Sequence, residues 1–243
     1  MKERLDLALV SRGIVESRAK AQALIMAGEV LVNGQVVTRS SFGIDGQAVE
    51  LKAAPRFVSR GGEKLEGAFA AFATLSSQDK ICLDVGSSTG GFTDCLLQHG
   101  AKKVMAVDVG TNQLAYKLRT DARVWVKENF NARYMTANDL PEVPELAVTD
   151  VSFISLTLIL PPIASVLKSG GEIVALIKPQ FEVGKGMAPG GLVKSEELRV
   201  KSVEKIVEFG KKELGLELLG LEKSPILGKE KGNIEYLSYW RKP

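Results

Sequence analysis

The chain has 243 residues, 45% of them hydrophobic and 25% charged, enough for one large or two modest domains with packed cores and incompatible with a disordered tail or a collagen. Two cysteines, Cys82 and Cys95, exclude a disulfide framework and point to a reducing, cytoplasmic compartment. A single histidine, His99, excludes His-based triads and leaves too few nitrogen and sulfur ligands for zinc, so proton transfer falls to Lys, Asp, Glu or Tyr. The net charge of +3 is localised: nine basic residues face six acidic ones through Arg60, and the remaining 23 of each sign cancel. An anionic partner is therefore expected at the N-terminal quarter. No targeting or membrane-spanning segment is expected, because the N-terminal region is charged and broken at Arg12-Gly13, and the apolar run from Phe153 to Val166 is interrupted by Pro161 and Pro162.

In chain order, periodicity predicts a helix carrying Leu5, Ala8 and Leu9 on one face, then a second from the Ser17 cap through Ala21, Leu24 and Ile25 to Gly28. Val30, Val32 and Val36 around Asn33-Gly34 predict a hairpin, since both central turn positions take positive φ. Arg4, Arg12, Arg18 and Lys20 fall on or beside the helices, where they form either a phosphate-facing patch or an ordinary solvated face. Ala53-Ala54-Pro55 ends this module, and Lys64 follows in a helix with Leu65, Phe69 and Phe72. Residues 81–85, 103–108, 146–150 and 173–177 read as short strands buried on both faces, separated by helical patterns, notably at 91–98 and 195–214. This alternation predicts an α/β fold with a doubly wound parallel sheet. Residues 216–221 and 235–240 predict a terminal strand pair across the turn at 228–232.

The strand at 81–85 runs into Asp84-Val85-Gly86-Ser87-Ser88-Thr89-Gly90-Gly91-Phe92. Glycines there let a ligand approach backbone N–H groups at a helix start, although the cluster also suits a plain strand-to-helix turn. The spacing is neither the dinucleotide GxGxxG nor a P-loop, so nicotinamide and ATP are disfavoured. Asp108 closes the next strand, where a carboxylate accepts both ribose hydroxyls of a nucleoside. With no diphosphate-binding feature, a phosphate-free nucleoside fits better, and S-adenosylmethionine is the common one. Asp84 either braces the loop or meets the methionine amine.

The next two strands end in Asp150-Val151-Ser152-Phe153 and Lys178-Pro179-Gln180-Phe181-Glu182, which places Asp150 and Lys178 near each other at the carboxyl edge of the sheet. Lys64 and Glu235 are the remaining charged candidates for that crevice. Lys64 can equally be a surface lysine, and Glu235 can merely pair with Lys231 or Lys229. A Lys, Asp, Lys, Glu set has a chemical use: a ribose hydroxyl is a poor nucleophile until a lysine, deprived of its proton by burial and a second cation, takes the hydroxyl proton. The carboxylates orient the amines, and no metal is required.

The stretch from Arg4-Leu5-Asp6 through Ser17-Arg18, Ala21 and Gly28 to Val32-Asn33-Gly34 resembles an S4 RNA-binding domain. Lys64, Asp150, Lys178 and Glu235 match, in order, the K-D-K-E tetrad of FtsJ-type ribose 2′-O-methyltransferases. Together with Ser59-Arg60-Gly61-Gly62-Glu63-Lys64-Leu65 and the motifs around Gly90 and Phe153, the whole chain resembles the TlyA family. The resemblance implies an α+β S4 domain at 1–59, a linker at about 53–62 and a Rossmann-like methyltransferase domain at 60–243 with a mostly parallel seven-stranded sheet. It implies 2′-O-methylation of cytidine in ribosomal RNA of the large and, in some members, also the small subunit, with ribosomal subunits as partners.

By the same resemblance, Lys178 is the base, Asp150 holds its amine, Lys64 steers substrate and charge, and Glu235 completes the network. Asp84, Gly86, Ser88, Gly90, Phe92, Asp108, Asn129 and Asp150 are expected at the cofactor, with Asp108 on its ribose and adenine near Glu128, Asn129 and Asn131. Arg4, Arg12, Arg18 and Lys20 are expected on RNA. Met105 and Trp125 read as core. The family is also labelled haemolysin, so a pore-forming protein is a competing class, opposed by the lack of a spanning or basic amphipathic helix. A noncatalytic RNA-binding factor is the third. A monomer is the default expectation, and the linker is expected to couple RNA docking to cofactor binding.

Overall fold

The computed structural model describes residues 2–52, 55–184, 186–228 and 231–243. Ala53, Ala54 and Lys229, which entered the reading of the linker and of Glu235, lie outside the described residues. The chain separates into two compact units, Met1–Pro55 and Arg56–Pro243.

The first unit runs β1 (Glu3–Arg4), α1 (Leu5–Ser11), α2 (Arg18–Met26), β2 (Val30–Val32), β3 (Gln35–Val36), β4 (Gly43–Ile44) and β5 (Val49–Leu51). The Ser17 hydroxyl accepts the Lys20 N–H and so caps α2, as its position before the apolar stripe predicts. Asn33 and Gly34 turn the β2–β3 hairpin at φ 48° and 77°. Leu5, Ala8, Leu9, Ala21, Ile25, Val30 and Ile44 make the core of this unit. Beneath it Asp6 is fully buried and accepts from Arg4, Arg18 and Gln22 at 2.9–3.0 Å. Arg4, the strongest influence, holds the Asp6 carboxyl far below the usual carboxylate range.

Two of the four expected RNA-facing cations are therefore partly structural. Arg4 donates Nε and Nη2 and Arg18 donates Nε to Asp6 while their side chains stay 44% and 54% exposed. Arg12 donates to the Gln47 carbonyl and Lys20 pairs with Glu16 one turn back.

The second unit contains α3 (Gly61–Ala71), β6 (Ile81–Val85), α4 (Gly91–Gln98), β7 (Lys103–Val107), α5 (Tyr116–Arg119), β8 (Val124–Lys127), β9 (Leu146–Thr149), α6 (Leu160–Val166), β10 (Glu172–Ile177), α7 (Pro179–Glu182), α8 (Glu196–Lys212), β11 (Glu217–Lys223) and β12 (Tyr236–Arg241). Its sheet has the order β11-β12-β10-β9-β6-β7-β8, parallel except for β12, which runs antiparallel to both of its neighbours. Helices cover both faces. Leu65, Phe72, Phe92 and Leu96 from α3 and α4 and their flanks pack on one face, and Leu160, Ile163, Val203 and Ile206 from α6 and α8 on the other. Met105 is fully buried and Trp125 packs against the second core, both as expected.

The structure corrects the expected boundary. Residues 56–59 pack with the second unit: Phe57 is buried in the α3–α4 core, and the Val58 N–H donates to Asp94 at 2.8 Å. Of the linker expected at 53–62, the part from Arg56 onward is thus already part of the second unit.

Candidate active site

Parallel strands β6, β7, β9 and β10 all end at one edge, immediately before or at the charged residues picked out by their positions. Asp150 and Lys178 each follow a strand by one residue. Lys178 Nζ lies 2.5 Å from Asp150 Oδ1 and donates to Ser152 Oγ at 2.9 Å. Lys64, reaching in from α3, lies 3.2 Å from Asp150 Oδ2 and 2.8 Å from Glu235 Oε2. The four groups form a ladder of alternating sign: Lys178, Asp150, Lys64, Glu235. Lys64, Lys178 and Glu235 are all buried. Lys64 is thus not a surface lysine, and Lys64 rather than Lys231 is the ion-pair partner of Glu235 among the described residues.

Partner counts separate the two amines. Both line the open cavity, but Lys64 sits between two carboxylates, whereas Lys178 meets one carboxylate and one hydroxyl. That cavity has a volume of about 760 Å³ and is also lined by Gly86, Ser88, Phe92, Phe153 and Phe181. It is large enough for two small-molecule moieties to meet.

The loop after β6 forms the other half of the site. Asp84 is buried with Oδ2 accepting from Thr93 Oγ1 at 2.6 Å, while Oδ1 has no hydrogen-bond partner among the described residues. Burial pushes its carboxyl up to about 7. One oxygen of Asp84 thus braces the loop, as one of the two readings expects, while the other is buried and unpaired among the described residues. At Gly90, φ is 96° and a Cβ would come within 2.3 Å of Leu118 Cδ1, so the turn admits only glycine. Asp108 is clasped by the Ser88 N–H at 2.8 Å and the Gly110 N–H at 2.6 Å, one on each oxygen. Each oxygen keeps a second lone pair for a ligand hydroxyl.

On the expected adenine side, two of the three side chains already have partners. Glu128 accepts the N–H groups of Asn112, Gln113 and Leu114 and an Arg119 guanidinium; Arg119 is the main influence holding its carboxyl down to about 2. Asn131 caps the turn at Arg133. Both side chains are spent on ordering the backbone. Asn129, at φ 53°, is exposed, and like Asp84, Gly90 and Asp108 it is not among the residues lining the 760 Å³ cavity.

Comparison with known proteins gives the family of the chain. A family description, FtsJ-like methyltransferase, matches residues 57–242, and an S4 domain matches residues 3–49. The chain belongs to the FtsJ-like methyltransferase family. It is 49% identical over 246 residues to Hemolysin A of Brachyspira hyodysenteriae, covering 98% of this chain and 99% of that one. It is 42% identical over 242 residues to the 16S/23S rRNA (cytidine-2′-O)-methyltransferase TlyA of Mycobacterium tuberculosis, covering 98% and 89%. A solved structure described as a hemolysin from Streptococcus thermophilus matches with a TM-score of 0.76 at 46% identity, covering 99% of this chain and 88% of that one.

Several residues of this FtsJ-like methyltransferase site carry no signature of their own in the sequence. Ser152 accepts from Lys178, and Gln180 Nε2 donates to Glu235 at 3.4 Å. Buried Asn233 joins the Gly191 carbonyl to the Val193 N–H on the cavity wall. On the far face of α4 the fold also gathers Glu66, Cys95 and His99, three potential metal-ligating atoms within 4.8 Å of one another, a grouping unexpected from one histidine. Arg56 occupies Glu66 at 2.7 Å, His99 stacks on Phe69 at 4.0 Å, and burial pushes the Cys95 thiol up. Those contacts account for the cluster as packing of α3 on α4.

Proposed function

We propose that the chain transfers a methyl group from S-adenosylmethionine to the 2′-hydroxyl of cytidine in ribosomal RNA, docking on RNA through its S4 domain. The observation that carries this reading is the buried Lys178–Asp150–Lys64–Glu235 ladder facing the glycine loop across one cavity. The cofactor fits the residues present. The unpaired Asp84 Oδ1 suits a ligand ammonium, Asp108 suits ribose hydroxyls, and Gly86, Gly90 and Phe92 shape the loop between them.

When bound, S-adenosylmethionine supplies an electrophilic methyl group on a sulfonium sulfur. The chain's own residues prepare the nucleophile. Lys178 Nζ takes the proton of the ribose hydroxyl, and Asp150 and Ser152 aim that amine. Lys64 offsets one of the two carboxylate charges, and the ammonium formed on Lys178 offsets the other as the hydroxyl loses its proton. Holding both reactants in line supplies the rest of the acceleration.

At the mouth, Phe153 is 81% exposed and its ring lies 5.2 Å from that of Phe181. This offers an aromatic face to an unpaired base beside the exposed cations Arg60 and Lys231. Among the described residues no helix is long and apolar enough to cross a membrane.

Incubating the protein with unmodified ribosomal subunits and labelled S-adenosylmethionine, then mapping 2′-O-methyl groups in the RNA, tests the reading. Methylated cytidine is the expected product; label on a base nitrogen, or none on RNA, overturns it.

A pH dependence follows from Asp84. Its folded carboxyl titrates near 7, above the ordinary carboxylate value, so between those values the folded protein keeps a proton that the unfolded chain has lost, and stability falls as pH rises across that window. A ligand ammonium needs the ionised form. Cofactor affinity is therefore expected to rise about tenfold per pH unit on approach to pH 7 and then level off, while Asp84→Asn binds weakly with no such slope. Calorimetric titration at several pH values checks this.

A further inference from the structure

We propose that Glu182 is a positioning residue for methyl transfer, locking the Asp150 segment to the Lys178 turn; the inference rests on the roles given above to Lys178 and Asp150. Glu182 ends α7, four positions after Lys178, and its side chain is 1% exposed. Its Oε1 accepts the Leu156 N–H at 2.8 Å and its Oε2 accepts from Ser155 Oγ at 2.5 Å. Lys205 Nζ stands 3.9 Å from the carboxylate and donates instead to the Glu182 backbone carbonyl at 3.0 Å. A buried carboxylate is costly without partners, and here two hydrogen bonds to the Asp150 segment, rather than a close ion pair, satisfy it.

Residues 150–155 belong to no helix or strand. Phe153 within them sits at φ 63°, a left-handed conformation that a bulky aromatic adopts only when its surroundings over-determine it. Three rungs supply that constraint, in register along the two segments. Ser152 meets Lys178, Phe153 meets Phe181, and Ser155 with Leu156 meets Glu182. Neither of the first two rungs anchors the far end of the Asp150 segment. The Glu182 rung does, together with the packing of Ile154 and Leu156 in the core, and it sets how Phe153 faces the cavity and how Ser152 and Asp150 hold the Lys178 amine.

The chemistry of substitution separates this role from simple packing. Glutamine keeps an oxygen for the Leu156 N–H and turns its amide nitrogen to Ser155 Oγ, which can accept. Alanine removes both bonds and leaves the Leu156 N–H buried and unpaired.

The test uses the full chain as Glu182→Ala, Glu182→Gln and Ser155→Ala, with kcat expressed per cofactor-binding site so that unfolded protein does not count. Glu182→Ala is expected to lower kcat about 100-fold, the scale of a misplacement near 1 Å, with cofactor Kd changed less than about threefold. Glu182→Gln is expected to retain at least about one-fifth of kcat, and Ser155→Ala to lose roughly tenfold. If Glu182→Ala does not fold, Ser155→Ala decides, and unchanged kcat there overturns the proposal. Unchanged kcat in Glu182→Ala, or Glu182→Gln as inactive as alanine, also overturns it. Lys178→Ala run alongside tells the two readings apart: an active Lys178→Ala sinks the base assignment itself, whereas an inactive Lys178→Ala with an active Glu182→Ala sinks only the brace.

Discussion

Lys178→Ala is expected to lower methyl transfer by about 10²–10⁴-fold, the range of a lost general base, while cofactor binding survives. Lys178 and Lys64 both line the cavity, Lys178 with one carboxylate and one hydroxyl as partners and Lys64 held between two carboxylates. The loop that orders Asp84 and Asp108 makes its hydrogen bonds to Thr93, Ser88 and Gly110, none of which involves Lys178. Cofactor affinity should therefore stay close to that of the natural protein. Arginine should not rescue activity, because a guanidinium keeps its proton. Single-turnover methylation of ribosomal subunits, paired with calorimetry, gives both numbers. Activity within tenfold of the natural protein would remove Lys178 from the mechanism.

Gly91→Ala is expected to weaken cofactor binding and catalysis together, by about 100-fold in activity, through displacement of the segment that precedes α3. A Cβ at Gly91 would stand 2.8 Å from the Gly62 backbone nitrogen, 3.0 Å from Gly61 Cα and 2.3 Å from Ser59 Oγ. The backbone neighbours cannot rotate away. The segment must shift, carrying Lys64 two positions farther along and loosening the N-terminus of α4 where the glycine loop ends. Overpacking of this kind costs about 2 kcal/mol, and for a unit of this size Tm should fall by roughly 4–8 °C. A melt and a cofactor titration of the full chain check both. Unchanged cofactor affinity would show that the entry segment does not support the loop.

The buried strands were legible because a parallel strand covered on both faces is a short continuous apolar run, as at β6 and β10, and because charged residues directly after such runs must sit at the sheet edge. β8 escaped because it is an edge strand, half-exposed and only four residues long. The boundary was placed too late because Phe57 and Val58 look like linker until Asp94 and the α3–α4 core are seen to hold them. Glu128 was read as a ligand for the same reason that Glu182 went unread. Both carboxylates bind backbone N–H groups, and a backbone donor leaves no residue-type signature in a sequence. The ladder itself could be ordered along the chain but not measured, since Lys64 and Asp150 are 86 positions apart.

The position of β12 bears on when this site comes into being during synthesis. Glu235 immediately precedes that strand, which slots between β10 and β11, and its carboxylate closes the ladder on Lys64. A growing chain with residues 1–200 already outside the ribosomal tunnel holds the base, the glycine loop and the RNA-binding module, yet its Lys64 has only Asp150 to face. The ladder therefore closes on Lys64 only once β12 has paired with β10 and β11.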